Sequence, residues 1–231
     1  MSLYVIGDPH LSFGVDKPMD IFKGWGNYVD RLEENWKSIV TDEDTVVIAG
    51  DISWGMCLDE TLMDFKFIDA LPGKKIILKG NHDYWWDTKT KTERFFAANG
   101  IQTISVLFNN AYNVEGISIC GTRGWFYDAR EAQDVKVLNR EVGRLRMSIE
   151  SALHLGGEPI VFLHYPPVFA GRECEEIMNV LFEYNIKQCY YGHLHGRRIS
   201  SLATTGNYKG IEFYLISCDN TQFKPVRVRK L

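Results

Sequence analysis

The sequence predicts a single α/β domain over residues 1–231, with two β-sheets inside and helices outside. Three observations predict it. Short β-branched runs, apolar on both faces, recur along the chain and stop abruptly at a glycine or a polar residue. Segments with helical spacing of apolar residues lie between several of them. No repeat, low-complexity tract or Ser/Pro/Gly linker breaks the alternation, and 231 residues with 45% hydrophobic content can bury a sizeable core.

The strands begin with LYVIGD at 3–8, TVVIAGD at 45–51 and KIILKGNHD at 75–83. None alternates apolar with polar residues, which suits strands covered on both faces. Between the first two, Val29, Leu32, Trp36 and Ile39 share one helical face; Leu62, Phe65, Ile68 and Leu71 do the same before the third. ISICGTRG at 117–124 is the next strand. A long helix follows from Gln133 to Leu155, closed by Gly156-Gly157. PIVFLHYPP at 159–167, QCYYGHLHG at 188–196 and GIEFYLIS at 210–217 complete the strand set.

The informative feature is where the polar residues fall. Asp8, Asp51, Asn81, His164 and His193 each stand at or just after the C-terminal end of a predicted strand, the edge where open α/β sheets bind ligands. Five of the six histidines (His10, His82, His164, His193, His195) belong to these segments, and only His154 lies elsewhere. Singly, each piece reads as a turn, an Asx-turn or a cap; jointly, strand ends that each supply a hard oxygen or an imidazole are not explained by capping. Imidazole, carboxylate and carboxamide together suit borderline divalent metals such as Mn, Fe, Zn or Co, whereas a magnesium-only site prefers oxygen. The candidates outnumber the three or four protein ligands of one catalytic ion, so two ions sharing a carboxylate would use them all. In Tyr191-Gly192-His193-Leu194-His195-Gly196, the flanking glycines let the backbone approach such ions, and each ring can serve a different one.

The ordered blocks Asp8-Pro9-His10, Gly50-Asp51, Gly80-Asn81-His82-Asp83, His164 and Gly192-His193-Leu194-His195 resemble the calcineurin-like metallophosphoesterases, from residue 8 to 195. The resemblance implies a four-layer α/β/β/α metallophosphoesterase sandwich, two mixed sheets with helices outside, and a dinuclear site between the sheets. It implies Asp8, His10 and His195 on one ion, Asn81, His164 and His193 on the other, and Asp51 bridging. The ions implied are divalent transition metals, Mn, Fe or Zn. Hydrolysis of a phosphomonoester or phosphodiester would proceed by a hydroxide bridging the metals, with His82 protonating the departing oxygen as general acid. Asp83 is expected either to orient His82 or to cap a helix beginning nearby. One departure matters: family protein phosphatases carry GDxxDRG, while this chain reads Gly50-Asp51-Ile52-Ser53-Trp54-Gly55, with tryptophan in place of the second aspartate.

Substrate information is sparser. Trp25, Trp54, Trp85, Trp86 and Trp125 lie in loops after or between the motif strands, either as core plugs or as an apolar wall beside the metals suited to an organic leaving group. Arg123, in Gly121-Thr122-Arg123-Gly124-Trp125, is expected to clamp a phosphate oxygen; packing on Trp125 is its bland alternative, and Arg172, Arg197 and Arg198 are weaker candidates. A net charge of −4 makes no electrostatic case for nucleic acid, so the expected partner is a small phosphorylated substrate, nucleotide-like or otherwise. A nuclease acting on nucleic-acid ends and a non-catalytic binding scaffold on the same fold are the competing readings; the complete ligand set weighs against the scaffold. The five scattered cysteines read as reduced thiols. With no apolar run of membrane-spanning length and no basic leader, a cytoplasmic protein is expected.

Overall fold

The computed structural model describes residues 1–125 and 132–230. In chain order, β1 (Leu3–Ile6), α1 (Tyr28–Ile39), β2 (Thr45–Ala49), α2 (Leu62–Ala70), β3 (Lys74–Leu78), α3 (Lys89–Ala98) and β4 (Ile104–Val106) form the first half. The second half holds β5 (Tyr112–Val114), β6 (Ile117–Thr122), α4 (Ala132–Leu155), β7 (Glu158–Leu163), the hairpin β8 (Val168–Phe169) and β9 (Arg172–Glu173), and α5 (Glu175–Glu183). It continues through β10 (Gln188–Tyr191), α6 (Arg197–Ser200), β11 (Gly206–Tyr208) and β12 (Ile211–Leu215), and β13 (Val226–Arg227) returns to the first sheet.

The first sheet has the order β13-β1-β2-β3-β4 and the second β11-β12-β10-β7-β6-β5. The inner strands of each run parallel, and antiparallel strands close the edges at β13, β5 and β11, so both sheets are mixed. Side chains alternate faces along a strand, and both faces here are buried. In β2, Val46 and Ile48 pack with Leu32 and Trp36 of α1 and Phe65 and Ile68 of α2, while Val47 and Ala49 point the other way. There they meet Ile119, Ile160, Phe162 and Tyr190 from the second sheet. The opposite face of that sheet, with Cys120, Val161, Leu163 and Tyr191, takes Leu145 and Ile149 of α4 and Leu181 of α5. Three apolar interfaces between four layers of secondary structure are the α/β/β/α sandwich, and they explain why the strand sequences lack alternation.

Helices α3 and α5 and the short strands β4 and β5 add to the expected elements. Only Thr92 and Phe96 of α3 are buried, so its helical period is faint in sequence. Four of the five cysteines are buried, and none forms a disulfide. Among the described residues, no helix is long and apolar enough to cross a membrane. Where β1 and β12 end, the sheets are joined by main chain: Gly7 N–H donates to Ile216 O (2.8 Å), and Cys218 N–H donates to Gly7 O (3.0 Å). The C-terminal ends of the parallel strands therefore converge on one spot.

The layer between the sheets carries a stability prediction. Phe162 is fully buried there and stacks on Tyr190 with ring centroids 5.3 Å apart. Phe162→Ala is expected to cost about 3–5 kcal/mol in chemical denaturation; a loss below about 1 kcal/mol would mean that the sheets close over the gap.

Candidate metal centre

At these converging ends the chain turns sharply. Asp8, His10, Asp51 and His193 all take left-handed backbone angles (φ 59°, 47°, 50° and 70°), a conformation that costs a non-glycine residue energy and is held here by its surroundings. The loops after β1 and β2 are laced together: Asp8 N–H donates to Gly50 O (3.0 Å), and His10 N–H to Asp51 O (2.9 Å). Two glycines make room for the carboxylates. A Cβ on Gly80 would stand 2.1 Å from Asp51 Oδ1, and one on Gly192 would stand 2.5 Å from Asp8 Oδ2.

The result is two adjoining groups of side chains. Asp8, His10 and His195 offer atoms within 4.8 Å of one another, as do Asp51, His164 and His193. Asp51 joins the two groups, with Oδ2 lying 3.7 Å from His10 Nε2 and 3.5 Å from His164 Nε2. Asp51 Oδ1 accepts the His82 N–H (2.7 Å), which holds the carboxylate in that orientation. Both oxygens of Asp8 accept the His193 N–H at 3.0 Å. Asn81 reaches the second group through Oδ1, 2.6 Å from His164 Nε2. All the side chains expected as ligands thus meet at one focus.

Their chemistry suits cations. His164 Nδ1 faces Ala49 O at 3.1 Å; a carbonyl only accepts, so Nδ1 carries the ring proton. Burial pulls that imidazole down to about 3, leaving it neutral with a lone pair on Nε2. Asn81 Oδ1 also presents a lone pair, and two acceptors aimed at one point are how ligands surround a metal. Burial likewise holds His10 well below its usual range and His193 down at about 2. Burial pushes Asp8 up to about 7 and Asp51 up to about 6, because desolvated carboxylates lack the positive charge that would keep them ionised. A divalent cation bound at these groups would supply it.

A sequence profile of the calcineurin-like phosphoesterases matches residues 1–197. The chain belongs to that family. Divalent metal ions are implied by membership, and the two groups are where this chain would hold them. Comparison with curated proteins gives no match. Solved structures share the fold at low identity. A protein of unknown function from Aquifex aeolicus, AQ665, is 18% identical (TM-score 0.52), covering 98% of this chain and 95% of its own. Phosphopantetheinyl hydrolase (PptH) from Mycobacterium tuberculosis is 13% identical (TM-score 0.54), covering 98% and 95%. TT1561 of Thermus thermophilus is 12% identical (TM-score 0.55), covering 84% and 81%.

Beside the two groups stands a cavity of about 400 Å³, lined by His10, His82, His195 and Asp219 and by Met19, Phe22, Lys23, Trp25 and Trp54. The tryptophans divide between the two roles weighed for them. Trp25 and Trp54 line the cavity, Trp54 stacked on His10 at 4.9 Å. Trp85 is buried edge-on against Phe65, and Trp125 lies beside Tyr165.

One expected role changes, and a second residue makes a packing contact. Asp83 neither orients His82 nor caps a helix, since α3 starts at Lys89 behind Thr88. Its buried carboxylate accepts from Ile52 N–H (2.8 Å), Ser53 N–H (3.3 Å), Gly80 N–H (2.7 Å) and Trp85 Nε1–H (3.0 Å), pinning the β2 and β3 loops to each other. Arg123 lines no part of the cavity. Its guanidinium lies 3.7 Å from buried Glu141 and over the Trp125 ring at 4.8 Å, the packing role that competed with a phosphate clamp. Its carbonyl accepts from His164 N–H (3.2 Å) and Tyr165 N–H (2.9 Å), so the residue supports the second ligand group through its main chain.

One residue escaped the sequence reading. Asp219 Oδ1 lies 2.9 Å from His195 Nδ1, and Asp219 Oδ2 accepts the Gly196 N–H (2.7 Å). A carboxylate on the far nitrogen fixes the ring and turns Nε2 inward. The signal was available, because Ile216-Ser217-Cys218-Asp219 is one more apolar run ending in an aspartate. Asp219→Asn is expected to weaken metal binding at the Asp8, His10 and His195 group about 10–100-fold in metal titrations, while binding at the Asp51, His164 and His193 group keeps its parental affinity. Equal loss of both would assign Asp219 a general structural role.

Proposed function

We propose that the protein is a dinuclear metal-dependent phosphohydrolase that cleaves a small phosphomonoester or phosphodiester, with His82 as its general acid. The observation that carries this reading is the pair of ligand groups joined at Asp51, with His82 directly beside them. Asp8, His10 and His195 hold one ion, Asn81, His164 and His193 the other, and Asp51 both; Mn, Fe and Zn fit the nitrogen-rich set. Ions held by these residues would supply positive charge for the phosphate and lower the pKa of a water nucleophile toward neutral.

The chain's own residues do the rest. The His82 main-chain N–H donates to Asp51 Oδ1, and the His82 ring lies 5.7 Å from the His10 ring and 4.5 Å from Trp54. Its Nδ1 is buried without a hydrogen-bond partner, so no neighbour competes for the proton that a departing alkoxide requires. Water adds to phosphorus and releases a proton to solvent, the P–O bond to the alcohol breaks, and the alcohol leaves with a proton from His82, which regains one from solvent. A cavity of about 400 Å³ suits a small ester. That a protein of this fold is a phosphopantetheinyl hydrolase agrees with phosphoester chemistry.

His82→Asn is expected to retain its metals by elemental analysis while kcat falls ~10²–10⁴-fold, with a smaller loss for leaving groups such as p-nitrophenol that need little protonation. Equal losses for good and poor leaving groups would remove His82 from the acid role. Asp51→Asn should release both ions together, since both depend on that carboxylate; parental metal content in this variant would refute the bridge.

A further inference from the structure

The cavity beside the ligand groups has an apolar lining that the hydrolytic reading leaves unused. Its lining brings His82 together with Met19, Phe22, Trp25 and Trp54, and Trp54 lies 4.5 Å from the His82 ring. If His82 protonates the departing oxygen, that oxygen lies next to His82, and the rest of the leaving alcohol extends along these walls. Resting on that reading, we infer that the cavity is the leaving-group pocket and that the enzyme selects phosphoesters whose departing alcohol bears an aromatic group.

The wall is held by the protein's own contacts. It is carried mainly by the loop between β1 and α1, and this loop is tied at several points. Phe13 N–H donates to buried Asp64 (2.8 Å), Trp25 N–H to Phe22 O (3.1 Å), Asn27 N–H to Asp20 (2.9 Å) and Arg31 to Gly24 O (2.9 Å). Core packing does not account for Phe22, which remains 54% exposed although it lines the cavity. An apolar ring left half in water at the mouth of a reactive site gains by covering an apolar ligand. The volume, near the lower bound for small-molecule pockets, accommodates an aryl arm. Lys23 is the only Lys or Arg among the lining residues, so the walls offer little to a highly charged arm.

The test uses the metal-loaded full chain and ethyl, benzyl and 2-naphthylmethyl phosphates, whose leaving alcohols have similar acidity. Burial of the ring is expected to raise kcat/KM roughly ten- to a hundred-fold from ethyl to benzyl. Phe22→Ala should cut the benzyl-to-ethyl ratio by about ten-fold. Ile21→Ser, at the neighbouring side chain that lines none of the cavity, should keep the parental ratio. Dissociation constants of the matching phosphonates, measured by calorimetry, should follow the same order and the same response to Phe22→Ala. Hydrolysis at rates indifferent to the arm, with phosphonate affinities equally indifferent, would overturn the pocket while leaving the phosphohydrolase reading intact. Absence of hydrolysis with phosphonates still ranked by arm would do the reverse.

Discussion

Two carboxylates, Asp8 and Asp51, are buried side by side where the ends of two sheets meet, and the rest of the site answers to that fact. Desolvated negative charges in one pocket repel each other and lack water, so they persist as ions only with positive charge among them. Imidazoles held neutral by burial add lone pairs around the same space. The divalent metal ions that family membership implies would supply that charge. The left-handed turns at Asp8, His10, Asp51 and His193 are the backbone consequence, because extended strands could not aim successive side chains into so small a volume.

Such strain persists only on a stiff platform. Three apolar layers supply it, and carboxylates beside the ligand groups extend it into the loops. Asp83 collects four donors from the β2 and β3 loops and the adjoining tryptophan. Asp64 binds the Phe13 main chain and the Ser53 hydroxyl, fastening the loop after β1 to the turn after Asp51. Asp219 does the same for His195. Chemistry in this protein is carried on loops, and a second rank of carboxylates keeps those loops from behaving as loops.

Much of this was legible in the chain because both signals are local. A strand buried on both faces must be apolar throughout, so β1, β2, β3, β6, β7, β10 and β12 announce themselves, and a ligand at a strand end directly follows that run. Edge elements were not legible. Strands β5, β8, β9 and β13 are two or three residues long, too short to show a period, and they exist because a neighbouring strand offers free hydrogen bonds. Helix α3 buries too little to show its spacing.

By itself, the sequence determined the two-sheet α/β class, the strand-end placement of Asp8, His10, Asp51, Asn81, His164, His193 and His195, and the donor types that suit a transition metal. Tertiary structure alone decided which of two plausible partners each remaining residue took. Asp83 went to backbone donors instead of His82, Arg123 to Glu141 and Trp125, Trp25 and Trp54 to a cavity wall, and Trp85 to the core. A carboxylate, a guanidinium or an indole can satisfy itself equally well in several ways. The choice is made by whichever donor, acceptor or apolar face the folded chain brings within reach, often from residues far away along the chain.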